Sequence, residues 1–344
     1  KYNEPSMSHR FVMPSPVKTS VQGAAELLGW REGTWSVGID CGGLLADWEA
    51  VKSLMGREAS LAFVSDSNPV VKQYILEKYE MAQWFDDASK LGQDDRVPAT
   101  DIYIAGFPCQ PFSSAGRGFG LDDARGGVFF HCRDYIDSQR PKLFILENVS
   151  GLERQDGGRV LEMMMEMLRW IGLGCYAVSK WLLNSEDFGI PHHRVRLFLV
   201  GRRRDCLKKE KMVVRLPGRA DIEPFLDPMS KVQLPELKVL NERERKNLNA
   251  AKKNLKARGA ELRDQTWIID VDASENYRGC RRNASPCMLA ARNKGFWCTS
   301  RERRLSLAEA SRLQGLPPVS SKHLQDKALF SLLGNAMTAP VIKE

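Results

Sequence analysis

Short apolar runs recur along the first two hundred residues, and each closes on a polar or glycine-rich cluster. Residues 36–40 end at Cys41-Gly42-Gly43, and residues 61–65 end at Asp66-Ser67-Asn68-Pro69. Residues 101–105 lead into Gly106-Phe107-Pro108-Cys109-Gln110, and residues 143–146 into Glu147-Asn148-Val149. Short runs rich in β-branched and aromatic residues predict buried strands. Residues 44–54, 70–79 and 160–170 instead repeat apolar positions at helical spacing. The methionine stripe of the last (VLEMMMEMLRW) is expected to fill core. Residues 176–183 and 196–200 read as later strands. Strands alternating with helices predict an α/β domain with a mostly parallel sheet. Ligands of such sheets sit at the carboxyl ends of strands, where all four unusual clusters fall.

After Gly201 the rhythm is lost. Pro217, Pro224, Pro228 and Pro235 interrupt any long element. Residues 305–313 turn helical again, before Gln314-Gly315-Leu316-Pro317-Pro318, and residues 332–341 close the chain. The expected organisation is an N-terminal extension (1–33), a main domain (34–201), a smaller inserted domain (202–303) and a returning part of the main domain (304–344).

Composition narrows the class. The chain has 344 residues, 27% charged and 43% hydrophobic, which excludes disorder and a disulfide mini-scaffold. The sequence holds no apolar run long enough for a membrane span. Pro14, Pro16 and Lys18 break the apolar core a signal peptide needs. A start at Lys1 suggests a piece of a longer protein with regulatory domains or partners outside it. The eight cysteines form no Cys-x-x-Cys pair, so no metal site is expected and a reducing compartment fits best.

Charge is uneven. Of a net +8, residues 202–304 carry 26 Lys and Arg against 14 Asp and Glu, so the remainder is slightly acidic. A basic insert on a near-neutral body suggests a polyanionic partner, or else a solvated Lys-rich helix over 241–256.

Several side chains carry chemistry. Cys109 lies on a proline-bracketed loop, which favours a nucleophile over a buried inert thiol. Residues 113–127 hold five glycines, enough for a lid. Glu147 ends an apolar strand; it is either a structural ion-pair or capping residue or an acid whose proton a dry pocket would retain. In His192-His193-Arg194-Val195-Arg196, adjacent histidines on a strand point apart, which disfavours a metal. Arg194 and Arg196 fall on one face, facing a polar or anionic ligand.

Taken in order from residue 37 to 341, these pieces resemble the cytosine-C5 DNA methyltransferase family. Residues 106–127 (GFPCQPFSSAGRGFGLDDARGG) resemble its nucleophile motif and catalytic loop, and 144–152 (FILENVSGL) its Glu-Asn-Val motif. Residues 184–201 resemble its Gln-x-Arg-x-Arg motif, with His192 in place of Gln. Residues 304–317 and Gly334-Asn335-Ala336 resemble its closing motifs. The resemblance implies a Rossmann-like S-adenosylmethionine-dependent methyltransferase fold with residues 202–303 as an inserted target-recognition domain. It implies a DNA (cytosine-5-)-methyltransferase whose Cys109 adds to C6 of a flipped cytosine, with Glu147, Asn148, Arg194 and Arg196 completing the catalytic set. S-adenosylmethionine is then the cofactor, S-adenosylhomocysteine its product, and double-stranded DNA the partner.

The implied cofactor residues are Asp40, Cys41, Gly42, Gly43, Leu44, Asp66, Ser67, Asp86, Asp87, Pro108, Asn335 and Ala336. Asp66 would hold the ribose hydroxyls, and Asp86 or Asp87 the adenine amino group. The implied DNA contacts are Gln110, Ser113, Ser114, Arg117, Arg125, Arg281 and Arg282, with further arginines at 202–204 and 301–304. The cofactor loop departs from the usual Phe-x-Gly-x-Gly-Gly: Gly38 stands at the aromatic position, Asp40 at the first glycine, and Ser67 where an apolar residue often packs. Two rival readings are a tRNA cytosine-C5 methyltransferase and a catalytically silent DNA-binding module. Ser113 and Phe107-Pro108 depart from the tRNA branch, which Trp297-Cys298-Thr299 faintly resembles. The expected location is the nucleus, in an epigenetic role, with a bacterial cytoplasm as the alternative.

Overall fold

A computed structural model of the chain describes residues 34–88, 97–108, 127–207, 214–228, 240–262, 265–273 and 279–344. Strands β1 (Trp35–Asp40), β2 (Ala59–Ser65), β3 (Gln83–Phe85), β4 (Ile102–Ala105), β5 (Leu143–Val149), β6 (Tyr176–Asn184) and β7 (Val195–Arg203) form one sheet. Their order is β3-β2-β1-β4-β5-β7-β6. The first five run parallel, and β7 lies antiparallel to both β5 and β6. This is the expected α/β fold with a mostly parallel sheet, one strand of which is reversed.

The local reasons are ordinary. β1 and β4 are buried on both faces, as parallel strands under helices must be. Helix α1 (Ala46–Met55) follows β1, and α2 (Pro69–Lys78) follows β2. In α2, Pro69 takes the first turn, where its missing N–H costs nothing, and Asn68 caps the helix by accepting from the Val70 amide at 2.9 Å. Helix α3 (Gly127–Gln139) buries Phe129, Cys132, Tyr135 and Ile136. Helix α4 (Arg159–Trp170) buries Val160, Leu161, Met164, Met165 and Leu168, so the methionine stripe is core.

Beyond Arg203 the chain builds helix α5 (Glu242–Ala257) and a four-stranded antiparallel sheet, ordered β11-β10-β8-β9. Its strands are β8 (Trp267–Ile269), β9 (Cys280–Arg282), β10 (Trp297–Cys298) and β11 (Arg303–Arg304). Asn241 and Glu244 close a reciprocal cap at the start of α5. Alternation along the strands splits their side chains between two cores. Ile269 and Trp297 join Leu248, Ala251 and Leu255 of α5, whereas Ile268 and Cys298 join the core of the main sheet. The chain ends in α6 (Leu307–Arg312), α7 (Asp326–Asn335) and α8 (Ala339–Lys343), and α8 packs on α1.

Candidate active site

β5 outlasts its neighbour. Residues 143–146 pair with β4, but Glu147, Asn148 and Val149 pair only with β7. The end of β5 therefore projects into the space left where β4 turns off at Gly106. Because β7 is antiparallel, its first residues lie beside that end, which brings Arg194 and Arg196 to Glu147. The Arg196 Nε stands 3.1 Å from Glu147 Oε1, an ion pair without hydrogen-bond alignment, so Oε1 has no hydrogen-bond partner. Burial pushes the Glu147 carboxyl above its ordinary value, against the pull of Arg194 and Arg196. Arg194 is buried, and its Nη1 donates to the carbonyls of Met288 and Gly334, each at 3.1 Å. The sulfur of Cys287 lies 3.9 Å from both guanidiniums. The two arginines thus face one site, as alternation predicts.

Asn148 does something its sequence position does not reveal. Its Nδ2 donates to the Phe107 carbonyl at 3.0 Å, and its Oδ1 accepts from the Val149 amide. It ties the end of β5 to the backbone two residues before Cys109. Cys109, Gln110, Ser113, Ser114, Arg117 and Arg125 lie outside the described residues.

The residues expected to cradle a cofactor lie around the ends of β1, β2 and β4. The β1–α1 turn passes through left-handed backbone at Cys41, Gly43 and Leu45. A Cβ on Gly42 would stand 2.7 Å from a Val64 methyl, so glycine is required there. The Gly43 and Asn68 amides donate to the Asp66 carboxylate, at 3.1 and 2.8 Å. Asp66 is half-buried, and each oxygen keeps a lone pair for a ribose hydroxyl. At the end of β3, Asp86 is exposed and held by Lys72 and the Trp84 indole N–H; Asp87 and Ser67 are also exposed. Gly106 donates to the Asp40 carbonyl, and the Met337 methyl lies 3.0 Å from where a Cβ on Gly106 would stand. That brings the turn after exposed Asn335, with buried Ala336, against the same strand ends. Gln314 braces this turn, donating to Leu333 O and accepting from Thr338. Exposed Pro108 faces solvent, while Leu44 is core. Half-buried hydroxyl acceptors beside a tight glycine turn fit S-adenosylmethionine.

The structure revises the role expected of Asp40. Asp40 does not offer its side chain to a ligand: it is wholly buried, and Ser65 Oγ and Tyr103 OH both donate to it. It supports the loop from beneath. The place of a side chain on Gly38 is filled by the Phe63 ring, which would be 2.3 Å from a Cβ there. The basic segment is also less free than its charge predicts. Arg281 binds Glu186, Arg301 binds Glu223, Arg303 binds Glu309, and Arg304 binds Asp272 and Glu244. These side chains are engaged within the fold, and Glu186, Glu244 and Glu309 are buried acids that need a partner. Arg282 stays exposed, as do Arg243, Lys246, Lys253 and Lys256 on the outer face of α5.

Burial pushes Asp40 up to about 7, helped by the Asp66 carboxylate and opposed by the Ser65 and Tyr103 hydroxyls. The folded chain then binds a proton that the unfolded chain releases near pH 4, so stability falls as pH rises from 4 to 7. Asp40→Asn, which keeps a donor and an acceptor for the two hydroxyls, should raise the Tm by roughly 5 °C at pH 8. The gain should shrink as pH falls below 7 and close near pH 4; a pH-independent gap in a thermal melt would contradict the assignment.

The family model for C-5 cytosine-specific DNA methylase matches residues 41–344. The type II methyltransferase M1.ScrFI of Lactococcus lactis subsp. cremoris is 31% identical over 261 residues. That alignment covers 74% of this chain and 63% of the relative, so the chain spans less than two thirds of that relative's length. M.NgoBI of Neisseria gonorrhoeae is 32% identical over 276 residues, covering 75% of this chain and 76% of the relative. Among solved structures, a Spodoptera frugiperda DNMT2 mutant superposes with a TM-score of 0.63 at 17% identity, over 90% of this chain and 98% of that one. Both sequence relatives are bacterial, and the expected nuclear, epigenetic role finds no support in them.

Proposed function

Since this chain belongs to the C-5 cytosine-specific DNA methylase family, we propose that it methylates C5 of cytosine in duplex DNA through a covalent bond between Cys109 and C6. The observation that carries this is the meeting of Glu147, Arg194 and Arg196 at the overhanging end of β5, with Asn148 holding the backbone that leads to Cys109. C5 of cytosine is too weak a nucleophile to take a methyl group unaided. The Cys109 thiolate adds to C6 and makes C5 enamine-like. Glu147, held in a dry site, hydrogen-bonds or protonates N3 and offsets the charge that develops on the ring. Arg196 orients Glu147, and Arg194 adds positive charge to the site. S-adenosylmethionine, held by the 41–45 turn, Asp66 and the 335–337 turn, supplies an electrophilic methyl group. A base then removes the C5 proton, and Cys109 leaves with its electron pair.

A stacked cytosine cannot reach this site, so the reading includes base flipping, at a cost of a few kcal/mol. Residues 202–303 act as the target-recognition segment, with Arg282 and the outer face of α5 among the exposed cations of its described residues. The test is incubation with tritiated S-adenosylmethionine and three substrates: unmethylated duplex, hemimethylated duplex and total tRNA. Label in DNA supports the proposal. Label in tRNA alone, or in no substrate from a folded protein, overturns it.

A further inference from the structure

His192 is fully buried, yet the chemistry above gives it no task. It precedes β7, and residues 191–193 pair with the inserted segment. The Ser285 amide donates to Pro191 O at 2.7 Å, and the His193 amide to Ser285 O at 2.8 Å. Three residues on, the Met288 amide donates to His192 Nε2 at 3.0 Å. An N–H can donate only to a ring nitrogen without a proton, so the ring is the neutral tautomer protonated at Nδ1. The carbonyl of the same Met288 accepts from Arg194 Nη1, whose second acceptor is Gly334 O in α7. A Cβ on Gly334 would stand 2.2 Å from the Leu289 carbonyl carbon, so α7 presses directly on this strap. Residues 285–290 are thus clasped between His192, Arg194 and α7.

We propose that His192 is a positioning residue: its uncharged ring fixes the strap 285–290 through the Met288 amide, and so sets the Arg194 guanidinium beside Glu147. The structural part stands by itself; its meaning for catalysis rests on the proposed methyl transfer. A protonated ring would set an Nε2–H against the Met288 N–H, donor against donor. It would also add a cation beside Arg194 and Arg196. Among its charged or titratable neighbours, Arg194, Arg196 and His193 oppose that change, the Leu313 backbone at the end of α6 favours it, and Glu147 is paired with Arg196. From the strap itself comes Cys287, whose sulfur touches both guanidiniums. Burial, with the two arginines, keeps the ring neutral well below the usual histidine range. Once the strap opens the ring regains its ordinary basicity and binds a proton, so the strap should hold at pH 8 and open more readily as pH falls through the usual histidine range.

Hydrogen exchange of the peptide spanning 285–290, followed by mass spectrometry from pH 8 to pH 5, reads the strap without any reaction. After correction for intrinsic rates, the parent should lose about tenfold of its protection across that range. His192→Gln, whose side-chain carbonyl accepts the same bond but does not titrate, should lose less than about twofold. Its kcat/KM for DNA methylation should stay within about threefold of the parent at pH 8 and fall less steeply than the parent's toward pH 5. His192→Asn, too short to reach Met288, should be about tenfold less protected at every pH. Equal pH responses in the parent and His192→Gln, or full protection in His192→Asn, overturn the proposal. If the exchange behaves as expected but no protein methylates DNA, the latch is supported and only the functional reading falls. Should His192→Asn not fold, the comparison of the parent with His192→Gln still decides.

Discussion

Glu147→Gln should slow methyl transfer to DNA by about 10²–10⁴-fold while leaving DNA affinity within a few-fold. The carboxyl is buried, has one oxygen without a hydrogen bond, and is raised above its ordinary value by that burial. A group of this kind either carries a proton or holds its charge at a cost, and both states serve a ring nitrogen that gains charge in the transition state. The amide is isosteric and keeps an oxygen near Arg196, so the site keeps its shape. What is lost is a strong donor and a compensating charge at the moment N3 needs them. Single-turnover kinetics with excess enzyme, alongside equilibrium binding to the same duplex, separate the two effects. A Glu147→Gln protein that transfers methyl groups at the parent rate would remove Glu147 from the mechanism.

The second large effect is expected at Cys109. Cys109→Ala should abolish turnover, by about 10⁴-fold or more, because no other group supplies electrons to C6. The covalent step also makes a distinctive demand. With 5-fluorocytosine in the duplex there is no C5 proton to remove after methylation, and fluorine cannot leave as a cation. The elimination that frees Cys109 then stops. The parent with S-adenosylmethionine should give a DNA complex that survives boiling in detergent, and Cys109→Ala should give none. Turnover by Cys109→Ala, or a detergent-stable complex formed without Cys109, would exclude this nucleophile.

Much of the framework was legible as alternating apolar runs, since a parallel strand buried on both faces must be continuously apolar. Six of the seven strands of the main sheet are predicted from apolar runs, although β6 is a half-buried edge strand. The exception, β3, is a three-residue edge strand, too short for any period. Helix α3 was missed although Phe129, Cys132 and Tyr135 recur at helical spacing, because the glycine-rich stretch before it reads as loop. The direction of β7 is invisible to periodicity, yet that reversal brings Arg194 and Arg196 to Glu147. Partners are harder still. Nothing local in Arg281 or Arg303 tells that each is matched to an acid far away in the chain, Glu186, or close by, Glu309. Counting positive residues therefore overstates the free positive surface. Asp40 looked like a misplaced ligand residue because its hydroxyl partners, Ser65 and Tyr103, come from two other strands.

The strand alternation in the basic segment bears on how such proteins diversify. Ile268 and Ile269 are neighbours, but one belongs to the core of the main sheet and the other to the small core under α5. Ile222, Phe225, Met288 and Phe296 also lie in the main core. The segment is therefore not a cassette that lifts out at its two ends. A chimera that imports a recognition segment from a relative would inherit half of a foreign interface. Only if the inward-facing positions travel with it, or are matched in the host, would the graft keep a single packed interior. Drift of the outward face is cheap by comparison. New target preference should accumulate there by point substitution more readily than by wholesale exchange.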